Sequence, residues 1–250
     1  MHEISLASEK LFSLGPIVVT NSILATWLGI FTLVSLAFLA TRRIALIPNG
    51  FQNVAEGIIE ILLDLIEQVT QDRRRAEQLL PFLATFFLFI LTLNWMELIP
   101  GFGSLVLYTN TGEAPLLRSA NTDLNTPLAL ALISVLGTQI LGIIALGFFK
   151  HVRHYLSFKP TLEGAIGFFV GFLHIIGEVA RVISFTFRLF GNIFAGEVLL
   201  VVIAFLIPYV VPVPFYVIEL LVGFIQALVF MMLTLVFIVT ATADTHSEAH

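Results

Sequence analysis

Residues 161–207 read TLEGAIGFFVGFLHIIGEVARVISFTFRLFGNIFAGEVLLVVIAFLI, with no clear turn among them. A single helix over this stretch would be about 70 Å long, whereas the hydrocarbon of a bilayer is only about 30 Å thick. Two arrangements fit. The chain crosses twice, with Gly191-Asn192 as the only candidate turn, or one long helix lies strongly tilted. The tilted helix is preferred: it ends at Pro208, PYVVPVP at 208–214 makes the turn, and residues 215–241 return. Near the middle of the later part sits Arg188, a lone cation with about ten mostly apolar residues on either side. A charge at that depth costs roughly 2.5–3.5 kcal/mol on insertion scales, which makes it a functional-site candidate by default.

Composition agrees with a membrane chain. Of 250 residues 58% are hydrophobic and 12% charged, against about 45–50% and about 25% in soluble domains; mean hydropathy is +1.00. The class expected is an all-α integral membrane protein forming one transmembrane domain over 1–250. Cysteine is absent, which excludes disulfides and thiolate metal sites. No cofactor or metal is expected. The net charge of −5 argues against a nucleic-acid partner. The first 15 residues lack a basic leader region, so no signal peptide is expected.

Further spans are expected at 17–40, 79–100 and 128–149, each near the 20 residues a crossing needs. The segment 101–127 is rich in Gly, Asn, Asp and Thr and reads as polar and extramembrane. Residues 51–70 differ: Glu56, Glu60, Asp64 and Glu67 recur on one face and aliphatic residues fill much of the rest. That is an amphipathic interfacial helix, whose acidic stripe suits a protein neighbour at least as well as lipid. With the N-terminus outside, Arg42, Arg43, Arg73, Arg74, Arg75, Lys150, Arg153 and Lys159 fall inside, and only Lys10 and Arg118 outside. This orientation follows the positive-inside rule and leaves the tail DTHSEAH inside.

At 100° per residue, Arg181, Ser184, Arg188 and Asn192 share one face with small residues, which let another helix approach closely. Glu197, nine residues from Arg188, points the opposite way and needs another helix or a water-filled cavity. On the returning helix Glu219 and Gln226 share a face. In a hairpin turning near 208–214, Glu197 and Glu219 lie toward the outer end and Gln226 nearer the level of Arg188. Glu178, Arg181 and Ser184 lie on the inner side; Glu178 and Arg181 also read as an i,i+3 ion pair. The pattern is a polar path interrupted by a fixed positive charge.

These residues carry a resemblance. SFTFRLFGNIFAGEVLL at 184–200 resembles the signature of subunit a of the F-type ATP synthases. NWMELIP at 94–100, TDLNTPLALAL at 122–132 and FIQALVFMMLTLVFI at 224–238 resemble further segments of that family, so the likeness covers most of 80–241. It implies a non-catalytic stator subunit that faces a rotor ring of carboxyl-bearing c subunits, with peripheral-stalk b subunits as other partners. It also implies two aqueous half-channels separated by Arg188. Glu197 and Glu219 would line the outer one, Asn94 and Glu97 would contribute, and Gln226 and Asn192 would position Arg188. A bacterial plasma membrane is the expected location, with an organelle inner membrane as the alternative. Two competing readings stay open. A secondary transporter also uses buried charges, though no internal repeat is found. An intramembrane enzyme lacks its HExxH or Ser–His signature here.

Overall fold

The computed structural model describes residues 9–14, 17–42, 44–45, 50–99, 102, 106–109, 112–147, 162–208 and 210–242. Arg43, Pro100, Lys150, Arg153, Lys159 and the tail 244–250 lie outside them. Six helices and two short β ribbons make up the described chain.

The first ribbon pairs β1 (Lys10–Leu14) with β2 (Ile17–Thr20) antiparallel, setting Lys10 against Thr20 and Leu14 against Ile17. It leads directly into α1 (Asn21–Thr41). The first span therefore begins at Asn21 and not at residue 17. Ile17, Val18, Val19 and Thr20 are all β-branched and suit a pleated pairing better than a first helical turn.

Helix α2 (Phe51–Thr70) is the amphipathic segment. Leu62, Leu63 and Ile66 are buried, while Glu56, Glu60 and Asp64 stay exposed. It closes on Gln71 in the left-handed region (φ 55°), whose N–H donates to the Glu67 carbonyl at 2.8 Å. Asp72 then caps α3 (Arg73–Glu97), its Oδ1 accepting from the backbone N–H of Arg74 at 2.9 Å. Arg73 donates back to Asp64 at 3.0 Å and Glu67 at 2.8 Å, so part of the acidic stripe is answered within the chain. This capping starts α3 six residues before the apolar run and puts three arginines in its first turn.

After α3, β3 (Val106–Thr109) pairs with β4 (Gly112–Pro115), and α4 (Asn125–Leu146) follows. Helix α5 (Leu162–Leu206) runs unbroken through Gly191-Asn192 for 45 residues. That decides between the two arrangements left open by the sequence. Helix α6 (Pro212–Thr242) returns from it. Helices α1, α3, α4, α6 and the Gly171–Leu206 part of α5 are long and apolar enough to cross a membrane. An α5 of this length cannot stand upright within about 30 Å of hydrocarbon.

Helix α6 packs against α3 and α4, and α5 against α4 and α6. At their junction lies a chain of rings. Phe230 meets Phe86 at 5.4 Å and Phe185 at 4.8 Å between centroids, and Phe185 reaches Phe237 at 5.8 Å. Leu83, Ile90, Leu189, Met231 and Leu235 close around them without measurable exposure. In lipid there is little hydrophobic drive between helices, so close dispersion contact holds this junction. Phe230→Ala is expected to destabilise the protein by roughly 3 kcal/mol, seen as a lower denaturation midpoint in detergent micelles.

Candidate functional site

Three helix ends and one loop meet at the end of the bundle where α3 finishes. Asn94 is buried one turn before the end of α3. Its Nδ2 donates to the Gly223 carbonyl of α6 at 3.1 Å, and its Oδ1 accepts from Asn121 Nδ2 at 2.7 Å. The neighbouring Trp95 Nε1 donates to the Leu220 carbonyl at 3.1 Å. Gly223 permits this approach: a Cβ there would lie 3.1 Å from that of Asn94. Residues 119–123 are not a solvated loop, because Ser119, Ala120, Asn121, Thr122 and Asp123 are all buried. Asp123 accepts from Ser22 Oγ of α1 at 2.7 Å and from Asn125 Nδ2 at 2.8 Å, which ties the loop to the start of α1 and of α4.

The stretch leading into this sewn loop, Pro115, Leu117, Arg118 and Ser119, forms one wall of a cavity of about 300 Å³ that Glu9, Glu97, Glu197 and Tyr216 also line. Glu97 lies within electrostatic range of Glu197, Glu219 and Arg118. Helices α5 and α6 cross so closely that the Glu219 carboxylate lies directly against Gly196, where any side chain would displace it. Glu197 Oε2 and Glu219 Oε1 are buried with no hydrogen-bond partner among the described residues. Buried carboxylate oxygens need water or a proton when no protein donor reaches them. The two acids therefore carry buried oxygens that no described protein donor answers.

Arg188 belongs to a different surface. Glu197 is nine residues along α5, about 13 Å away and on the opposite face. Arg188 is half-buried, and its Nη2 donates to Ser184 Oγ one turn earlier at 3.3 Å. Ser184, Asn192 and Ala195 on this face are exposed. Asn192 Nδ2 donates to Gln226 Oε1 of α6 at 2.7 Å, so these two side chains pin the hairpin together one turn beyond the arginine. The arginine's own hydrogen bond runs along its helix to Ser184. Toward the other end Arg181 Nη1 contacts both oxygens of Glu178, at 2.9 and 3.0 Å, and stacks over Phe237 at 3.6 Å. That half-buried pair is closed on itself.

The sequence-selected residues thus fall into three groups: Glu97 and Glu197 at the cavity, with Asn94 and Glu219 near it; Arg188, Ser184, Asn192 and Gln226 beside the open face of α5; and the separate Glu178–Arg181 pair. Sequence reasoning missed Glu9, Ser22, Arg118, Ser119, Thr122 and Asp123. The segment TDLN at 122–125 held a signal, since its polar residues cluster immediately before an apolar span.

Residues 23–239 match the family model described as ATP synthase A chain. The chain belongs to that family. It is 33% identical over 229 residues to ATP synthase subunit a of Moorella thermoacetica, covering 92% of this chain and 94% of the relative. It is 34% identical over 235 residues to ATP synthase subunit a 2 of Pelobacter propionicus, with 94% and 92% covered. Subunit a 2 of a Bradyrhizobium species is 32% identical over 244 residues, with 98% of each covered. Together with its five span-length helices, this makes the chain a multi-pass integral membrane protein. The family match spans all three groups of polar residues.

The amide relay at Asn94 generates a direct prediction. Asn94→Ala removes the partner of Asn121 Nδ2 and one donor to the Gly223 carbonyl, and is expected to cost about 2 kcal/mol. The check is thermal denaturation of the purified protein in detergent.

Proposed function

We propose that this chain is the proton-conducting stator subunit of an F-type ATP synthase membrane sector, and that it is not itself catalytic. One observation carries the reading. The acid-lined cavity and the Arg188 face lie on opposite sides of one helix, with Gly196 letting Glu219 slip between them. The open face of α5, with Ser184, Asn192 and Ala195 exposed around a cation, suits a close-packed second helix bearing a carboxyl group. In this reading that helix is a c subunit of the rotor ring, which membership of the ATP synthase A chain family supports. Peripheral-stalk b subunits and the rest of the complex are the further partners, and the exposed acidic stripe of α2 is available to such a protein neighbour.

In this reading protons enter the cavity from outside and pass by Glu97, Glu197 and Glu219 to a carboxylate of the ring. Asn94 holds α3 and α6 in register at the cavity. After nearly a full rotation the proton leaves to the inside past Ser184 and the Glu178–Arg181 pair. Arg188 stands between the two routes. It attracts the deprotonated ring carboxylate and raises an electrostatic barrier to direct leakage. Arginine suits the position because it stays ionised even when buried. Asn192 and Gln226 fix the hairpin against which it works. Each proton then delivers about 2.3 kcal/mol per 100 mV only by way of rotation. The whole chain acts as one transmembrane domain in a bacterial plasma membrane, N-terminus outside and C-terminus inside, with α5 tilted against the ring.

Two variants test this in vesicles holding the assembled complex. Arg188→Ala is expected to lower ATP synthesis under an imposed gradient at least tenfold, about 1.4 kcal/mol on the limiting step, with assembly intact. Near-normal synthesis would make the arginine structural. Gly196→Ala is expected to preserve assembly, because the displaced group is the mobile end of Glu219, yet to slow synthesis by moving that carboxylate off the helix crossing. Copurification separates the transporter alternative: a stator subunit travels with a large ring and a soluble ATPase head, and a self-contained exchanger does not.

A further inference from the structure

The cavity contains a carboxylate that the route through α3, α5 and α6 does not use. Glu9 stands just before β1 and lines the same space as Glu97, Arg118 and Glu197. Its backbone is locked in place. Glu9 N–H donates to Asn21 Oδ1 at 3.2 Å, and Asn21 N–H donates to the Glu9 carbonyl at 3.2 Å. Asn21 is fully buried at the start of α1, and its Nδ2 reaches the Pro115 carbonyl at the end of β4. Both ribbons are thus tied to the one residue that holds Glu9. The Glu9 side chain nevertheless keeps Oε2 buried with no hydrogen-bond partner among the described residues. Glu9 thus lines a polar cavity while one of its carboxylate oxygens is buried without a described donor, and such an oxygen calls for water or a proton.

We propose that Glu9 is a further proton-carrying residue, the outermost acceptor of the outer half-channel, presented by the β1–β2 strap. This rests on the stator reading above. A proton from outside water binds Glu9 Oε2, passes through cavity water to Glu97 or Glu197, and leaves Glu9 again as a carboxylate. Its charge also raises the local proton concentration at the mouth of the cavity. The groups facing it are Glu97 from α3, Arg118 from the loop before α4, Glu197 from α5, and Tyr216 with the nearby Glu219 from α6. Lys10 beside it is exposed.

The test uses the complete complex in vesicles, driven by an imposed membrane potential while the pH of the outer side is varied. Glu9→Gln is expected to lower ATP synthesis about tenfold, most strongly at alkaline outer pH, where protons are scarcest. Raising ionic strength should narrow the gap to wild type, because salt screens the attraction. Glu9→Asp should restore most of the rate. A Glu9→Gln complex with the wild-type rate and outer-pH profile would overturn the proposal. So would loss of assembly in Glu9→Gln, which would make the residue a structural strut. Arg188→Ala in the same vesicles separates the two levels. Its normal synthesis would make the arginine structural and sink the two-route mechanism on which the role of Glu9 rests, whereas its failure beside an unaffected Glu9→Gln would sink only the role of Glu9.

Discussion

A charged or hydrogen-bonding group inside hydrocarbon must find a protein partner or a pocket of water. Two groups of polar residues meet that demand in different ways, and much of the architecture follows from the division. Asn94, Asn121, Ser134, Thr234, Asn192 and Gln226 bond across element boundaries, with side-chain contacts of 2.7–2.8 Å linking Asn121 to Asn94, Ser134 to Thr234 and Asn192 to Gln226. Glu97, Glu197 and Glu219 gather at a cavity or a helix crossing instead. The first set links the elements of the bundle, and the second sets carboxylates at a cavity and a helix crossing near its end.

The division also explains the behaviour of α5. Its inner face carries Phe185, Leu189 and Ile193, which are buried in the common core, while its outer face keeps Ser184, Asn192 and Ala195 exposed. One helix therefore belongs to the stable body and also offers a surface that the described chain leaves open. Glu178 and Arg181 show the contrasting solution: two charges on one helix neutralise each other and lean on an aromatic ring. Among the described residues Arg188 has only the neutral Ser184 hydroxyl as its hydrogen-bond partner.

Much of this was legible in the sequence, because helical periodicity is local. The unbroken apolar run over 161–207 anticipates a continuous α5, and counting 100° per residue sets Glu197 opposite Arg188. Counting back from the turn brings Gln226 toward the level of Arg188; in the structure it bonds Asn192, one turn further along α5. The β ribbons were not legible, since their strands are only four or five residues long and lie beside an apolar helix. Nor was the burial of 119–123, where the decisive bonds join residues far apart in the chain, as Ser22 joins Asp123. Composition calls such a stretch a loop, and only its distant partners show that it is buried.

The pair of bonds from Asn94 and Trp95 has a mechanical meaning. They grip backbone carbonyls of α6 three residues apart, at Gly223 and Leu220, from consecutive positions on α3. Helix α6 can neither slide along α3 nor roll about its own axis without losing both. Through the Asn192–Gln226 clasp and the ring chain at Phe230, a sideways push on α5 is shared with α3 and α4. The hairpin is thus braced like a beam fixed at two points, and a load on its open face meets the stiffness of the whole bundle.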